Sequence, residues 1–174
     1  MEIKRQFGIQ IDKLTRSIEN TVSGDSFKTE VLPVTEKDVK GLKIKDWLFN
    51  WKEESKATTK QEFKLVIVDN PSIIQGLISI EDRGDHLYMH LIESNKFNRG
   101  SKKIYFGVPG NLVAFVCKQS FQTGYQGYVS FEAKTKLIPH YQKSLGAKSL
   151  FGNYMTINSL AAAKLVKQYF PDFL

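Results

Sequence analysis

From Phe63 to Glu93 the chain passes through three apolar segments, and the turns between them are too short to hold a crossover. Phe63 to Asp69 reads as a strand, Asn70-Pro71-Ser72 as a turn, and Ile73 to Glu81 as a second strand. Asp82-Arg83-Gly84-Asp85 then turns the chain into a third, His86 to Glu93. Parallel neighbours need a connection of about a dozen residues or more, so these segments form an antiparallel meander. A sheet therefore organises the middle of the molecule.

The character changes after Glu93. A polar, basic stretch from Ser94 to Lys103 leads through Gly107-Val108-Pro109-Gly110 into a helical run, Asn111 to Gln122, with Asn111 as its cap and Thr123-Gly124 as its stop. That run is apolar nearly all round from Leu112 to Val116, which predicts a helix packed against the sheet. Gly127 to Phe131 reads as a fourth strand. Leu137, Ile138, Tyr141 and Leu145 share one face of a second helix, closed by Gly146, with Pro139 placed in its first turn. Ser149 to Ile157 reads as one further strand and Leu160 to Phe170 as a terminal helix that turns Leu165, Val166 and Tyr169 inward. Upstream, Ile11, Leu14 and Ile18 have the spacing of a short amphipathic helix, and Phe27 to Val34 that of a strand. Thr35-x-x-Asp38 has the form of a capping box, and Trp47 and Trp51 stand one helical turn apart.

Charge is distributed unevenly. Residues 1–62 nearly balance, whereas residues 96–148 carry Lys96, Arg99, Lys102, Lys103, Lys118, Lys134, Lys136, Lys143 and Lys148 against Glu132 alone. A field of one sign concentrates its opposite, so this half is expected to meet a phosphate-bearing small molecule or a nucleic acid. The lone Cys117 lies inside an apolar run, as expected of a protein in a reducing cytoplasm. No stretch approaches the ~20 apolar residues of a membrane span, and the first eleven residues lack the apolar core of a signal peptide. No metal is expected: His86 and His90 share a strand face but stand roughly 13 Å apart at strand rise.

The order of meander, glycine loop, buried helix, strand, helix and strand resembles the GNAT superfamily of N-acetyltransferases over residues 63–157. The resemblance implies a mixed α/β (α+β) fold, with a mostly antiparallel sheet flanked by helices, and acetyl-CoA lying between the third strand and the strand after the helix. On that mapping Leu91, Ile92 and Glu93 face the pantetheine arm. The loop that includes Gly107, Val108, Gly110 and Asn111, helped by Lys102 and Lys103, holds the pyrophosphate. Gly107 and Leu112 match the family's loop pattern; Ile104 and Pro109 depart from it. The segment Lys134 to Ala147 is similar to the family's Asn-x-x-Ala-x-x-x-Tyr motif, with Lys134 at the Asn position, on the cofactor side, and Tyr141 at the Tyr position.

The resemblance implies transfer of acetyl from acetyl-CoA to the primary amine of an unknown acceptor. Tyr141 would be the acid toward the CoA thiolate and Glu93 the base toward the amine, with His90 and His140 as alternatives. Each has a structural reading too: Tyr141 as a core tyrosine, Glu93 as a solvated strand end. The chain is expected to form one domain over 1–174, with an acceptor-side part (1–62), an acyl-CoA core (63–157) and a terminal helix (158–174). Two rival functions stay open. One is a GNAT-like module that has lost catalysis, favoured by Ile104, Pro109 and Lys134. The other is a nucleic-acid binder using Tyr105, Phe106, Phe121, Tyr125 and Tyr128.

Overall fold

The computed structural model describes residues 6–174. In chain order the strands and α-helices are β1 (Ile18–Asn20), β2 (Ser26–Phe27), β3 (Thr29–Pro33), α1 (Glu36–Gly41), α2 (Trp51–Glu54), β4 (Lys60–Ile67), β5 (Gly76–Asp82), β6 (Leu87–Ser94), β7 (Tyr105–Phe106), α3 (Val108–Thr123), β8 (Val129–Glu132), α4 (Ile138–Leu145), β9 (Lys148–Phe151), β10 (Tyr154–Ile157) and α5 (Ser159–Tyr169). Seven strands form one sheet in the order β3-β4-β5-β6-β8-β10-β9, and β2-β1-β7 form a small second sheet. The fold is α/β with a mostly antiparallel sheet; β6 and β8 are its parallel pair.

The meander stands as expected in β4, β5 and β6. Period-two alternation puts Leu65, Ile78, Ile80 and Met89 in the main apolar core, where α3 and α5 cover them. Every residue of α3 from Val108 to Cys117 is buried, which explains a helix with no polar face in that stretch. The capping box is formed: Thr35 Oγ1 accepts from Asp38 N, and Asp38 Oδ2 accepts from Thr35 N. Gly146 closes α4 at φ 68°, a left-handed conformation that suits glycine.

Three expectations need correction. Residues Ile11 to Ile18 form no helix; Ile11 and Ile18 are buried in the core, and β1 pairs with β2 and β7. Their helical spacing is outweighed by tertiary partners for the backbone. The helix expected from Asn111 begins three residues earlier, at Val108. Pro109 fits there because the first turn needs no intrahelical N–H. The single strand expected over Ser149 to Ile157 is a hairpin, β9 and β10, turned at Gly152-Asn153.

Candidate acyl-CoA groove

Pairing between β6 and β8 is limited to Leu87↔Val129 and Tyr88↔Ser130. Two residues further on, His90 is the extra residue of a bulge: Leu91 pairs with Ser79 and Met89 with Ile80, which leaves His90 unpaired with β5. A bulge bends its strand and sharpens the twist, so β6 turns away from β8 at this point and a wedge opens. Leu91, Ile92, Glu93 and Ser94 line one side of a cavity of ≈ 320 Å³ in that wedge, and Pro109 and Lys134 contribute to its rim.

The other wall was not foreseen. Residues 6–12 run into the wedge and attach to the β8 side: Phe7 N donates to the Glu132 carbonyl (2.6 Å) and Lys134 N donates to the Phe7 carbonyl (2.9 Å). The Phe7 ring is 3% exposed and packs on Phe131 at 4.9 Å between ring centroids. Ile11 N donates to His140 Nε2 at 2.8 Å, so that nitrogen carries no proton here.

Tyr141 is fully buried, as its face with Leu145 suggested, and its hydroxyl donates to the Ile9 carbonyl. Burial pushes the phenol above its ordinary value of 10.0, so it stays protonated at neutral pH. Tyr141 does not itself line the cavity; its O–H is directed at the N-terminal segment, on Ile9, which does.

Glu93 is not the solvated strand end of the bland reading. It is 3% exposed, and its two oxygens take four donors: Leu48 N (2.5 Å), Phe49 N (3.1 Å), Trp51 Nε1 (2.9 Å) and Arg99 Nη1 (3.0 Å). Four donors use the lone pairs of a carboxylate, and a base needs one of them free. This engagement is at odds with the expected base role. Glu93 anchors the loop that ends in α2 onto β6. His90, the alternative, has Nε2 at 2.7 Å from Glu81 Oε1, and burial lowers its pKa.

The glycine loop is present but already furnished. Gly107 caps α3 at φ 97°, and a Cβ there would collide with Thr15 Oγ1 and the Ser17 carbonyl. Its N–H donates to Asp12 Oδ1 (3.1 Å), and Asp12 Oδ2 pairs with Lys103 Nζ at 3.0 Å. Val108, Gly110 and Asn111 are built into the packing: Val108 is in the core, a Cβ at Gly110 would strike Tyr169 and Leu14, and Asn111 Nδ2 donates to Thr29 Oγ1. Asn111 is thus an interior hydrogen-bond donor rather than the expected cap. Lys102 is exposed, and Lys134 lies so close to Gly8 that a Cβ there would touch its side chain.

Trp47 and Trp51 are buried against Leu77 and Leu91 and also line a second cavity of ≈ 330 Å³. Leu48 and Phe49 line both cavities, which makes them the boundary between the two. Of the five rings of the nucleic-acid reading, Tyr128 alone is exposed; the other four are partly buried. Cys117 is buried in α3 and burial pushes its thiol up to about 12, far from a nucleophile's range.

No protein-family model matches the chain, and no curated protein matches it in sequence. Solved structures do. The chain has the fold of the GNAT N-acetyltransferases. It is similar to a KacTA–DNA complex with a TM-score of 0.55 at 15% identity, over 80% of this chain and 99% of that one. It is also similar to a Tyr-to-Phe mutant of the AtaT toxin bound to acetyl-CoA and the C-terminus of the antitoxin AtaR (TM-score 0.52, 14% identity, 80% and 99% covered). The spermidine/spermine N-acetyltransferase SpeG from Vibrio cholerae follows with a TM-score of 0.50 at 11% identity, over 78% of this chain and 95% of that one. At these identities the likeness establishes the fold. No helix among the described residues is long and apolar enough to cross a membrane.

Proposed function

We propose that the protein transfers an acetyl group from acetyl-CoA to the primary amine of an acceptor by direct attack. The observation that carries this reading is the wedge itself: a parallel pair that parts after Tyr88, a cavity along the freed edge of β6, and a buried tyrosine hydroxyl bonded to Ile9, which lines that cavity. The likeness to SpeG, an N-acetyltransferase, and to AtaT, solved with acetyl-CoA, supports both co-substrate and reaction class.

In this reading the pantetheine arm lies along Leu91 and Ile92 with its thioester toward Tyr141. The neutral amine attacks the thioester carbonyl, the C–S bond breaks as the tetrahedral intermediate collapses, and the thiolate takes the Tyr141 proton. The amine's surplus proton leaves to water in the cavity. Glu93 acts as a positioning residue, holding Leu48 and Phe49 where an acceptor enters from the second cavity. Lys103 supplies positive charge to the pyrophosphate.

The test is acetyl transfer to a panel of polyamines and peptide amines by the parent and by Tyr141→Phe. Loss of the proton donor should lower kcat by a factor of roughly 10² while acetyl-CoA binding barely moves. A stability loss of about 1 kcal/mol with unchanged kcat assigns Tyr141 to packing alone. A second reading, a GNAT-fold module without catalysis, is favoured by one observation: the wedge already holds residues 6–12. Absence of transfer by the parent to every amine, together with absence of CoA binding, would select it.

A further inference from the structure

Residues 7–12 make, one by one, the contacts that an acyl-CoA would make in this groove. At the splay, the Phe7 backbone pairs with the end of β8 in parallel register opposite Ala133, where a pantetheine arm needs the gap open. At the acid, the Ile9 carbonyl takes the Tyr141 hydroxyl, the donor that a thiolate would use. At the anion seat, the Asp12 carboxylate takes the Gly107 N–H and the Lys103 ammonium, the two groups best placed for a pyrophosphate. The backbone count is short here even without competition. Pro109 has no N–H and Asn111 N is spent on the Gly107 carbonyl, so Gly107 is a donor the loop can ill spare.

We propose that residues 7–12 are a built-in competitor of acyl-CoA, with Asp12 standing for the pyrophosphate and the Phe7–Ile9 backbone for the pantetheine, so that donor binding requires this segment to leave. The inference rests on the acyltransferase reading of the groove. Its physical basis is charge: a carboxylate and a pyrophosphate cannot share Gly107 and Lys103, because each needs the same donors and each repels the other. Between Phe7 and Asp12 the segment has two backbone bonds at the end of β8 and one each to His140, Tyr141, Gly107 and Lys103, with the buried Phe7 and Ile11 side chains as its apolar anchors. Its departure would be a local opening that gives up these contacts and leaves the sheet and α3 in place.

Two full-length variants test it. Asp12→Asn keeps the size of the side chain and removes the charge that competes with phosphate. Phe7→Ala loosens one apolar anchor. CoA and pantetheine, which lacks the phosphates, are titrated into each by calorimetry while hydrogen exchange follows the Lys134 amide, which Phe7 protects in the closed form. The expected result is that Asp12→Asn binds CoA about tenfold tighter than the parent, the effect of removing one charge-assisted competitor. Phe7→Ala should raise pantetheine and CoA affinity alike, whereas Asp12→Asn should raise CoA affinity more than pantetheine affinity. In every chain, CoA should speed exchange at Lys134. Equal CoA affinity in parent and Asp12→Asn, or CoA binding with Lys134 still protected, overturns the competition and leaves the acyltransferase reading standing. No CoA binding by any chain, with Lys134 exchange already fast in Phe7→Ala, overturns both.

Discussion

On one face of the seven-stranded sheet Leu65, Ile78, Ile80, Met89 and Phe131 meet the apolar sides of α3 and α5. On the other, Trp47, Trp51, Leu77 and Leu91 share their space with buried Ser79, Glu54 and Glu93. The first face is held by area and close packing and, among the described residues, carries no group that titrates near neutral pH. The second is held by carboxylates that must each be satisfied: Glu93 by its four donors, Glu54 by Ser79 Oγ and Lys60 Nζ. The same strands serve both, with alternate residues pointing each way. The groove opens where the polar face meets the parting of β6 from β8. The part of the molecule that would handle substrate is therefore also the part whose stability depends on charge.

Deleting a side chain from each face gives the largest contrast. Leu112→Ala, in the apolar core, should cost about 2–5 kcal/mol in chemical denaturation, as buried leucines do. Glu93→Ala should cost a comparable ~3–5 kcal/mol, because it strands the Arg99 guanidinium and three N–H groups. The two losses differ in their remedy. Adding Arg99→Ala should recover part of the Glu93→Ala loss in a double-mutant cycle. No charge removal should recover any of the Leu112→Ala loss. If Arg99→Ala is simply additive with Glu93→Ala, the polar face is not held as described.

A smaller effect distinguishes the faces by pH. Glu62 pairs with Ser79 across β4 and β5, and its Oε1 is buried without a hydrogen-bond partner among the described residues. Burial and the neighbouring Glu54 charge push its carboxyl up to about 7 from an ordinary 4.5. The native state thus holds this proton more tightly than the unfolded chain does. Its contribution is fully present below about pH 4.5 and is lost as pH rises through about 7. Glu62→Gln should melt higher than the parent at pH 8, and the difference should shrink steadily toward pH 5. A difference that stays constant with pH would remove Glu62 from the polar network. At the bottom of the scale, Lys56→Ala breaks the solvent-exposed pair with Glu53 and should change stability by less than about 0.5 kcal/mol. A larger loss would mean that surface charge supports α2 as buried charge supports β6.

Much of the fold was legible because its signals are local. The meander declared itself by alternation and short turns, α3 by the apolar run from Leu112 to Val116 that only a covered helix tolerates, and α4 and α5 by one-sided spacing. Tyr141 was singled out by the resemblance of its segment to the GNAT motif, and its hydroxyl is bonded to Ile9. Where reading failed, a competing local pattern won. Ile11, Leu14 and Ile18 have helical spacing, and nothing nearby reveals that Ile11 bonds to His140 or that Ile18 pairs with Phe27. Glu93 looked like a strand end because its partners Leu48, Phe49 and Trp51 lie more than forty residues upstream.

What the sequence by itself determined is the set of elements and the chemistry each carries: a sheet, a buried helix behind a glycine loop, a tyrosine on α4, and a basic stretch around them. What the tertiary structure alone decided is what fills the groove between them. Gly107 meets Asp12 across 95 positions and Tyr141 meets Ile9 across 132. Contacts at such separations leave no periodicity, spacing or composition in the chain. They follow from where β6 and β8 part, and that point is set by the register of a whole sheet and one bulge at His90. A carboxylate beside a glycine in space therefore looks, in sequence, like any surface aspartate.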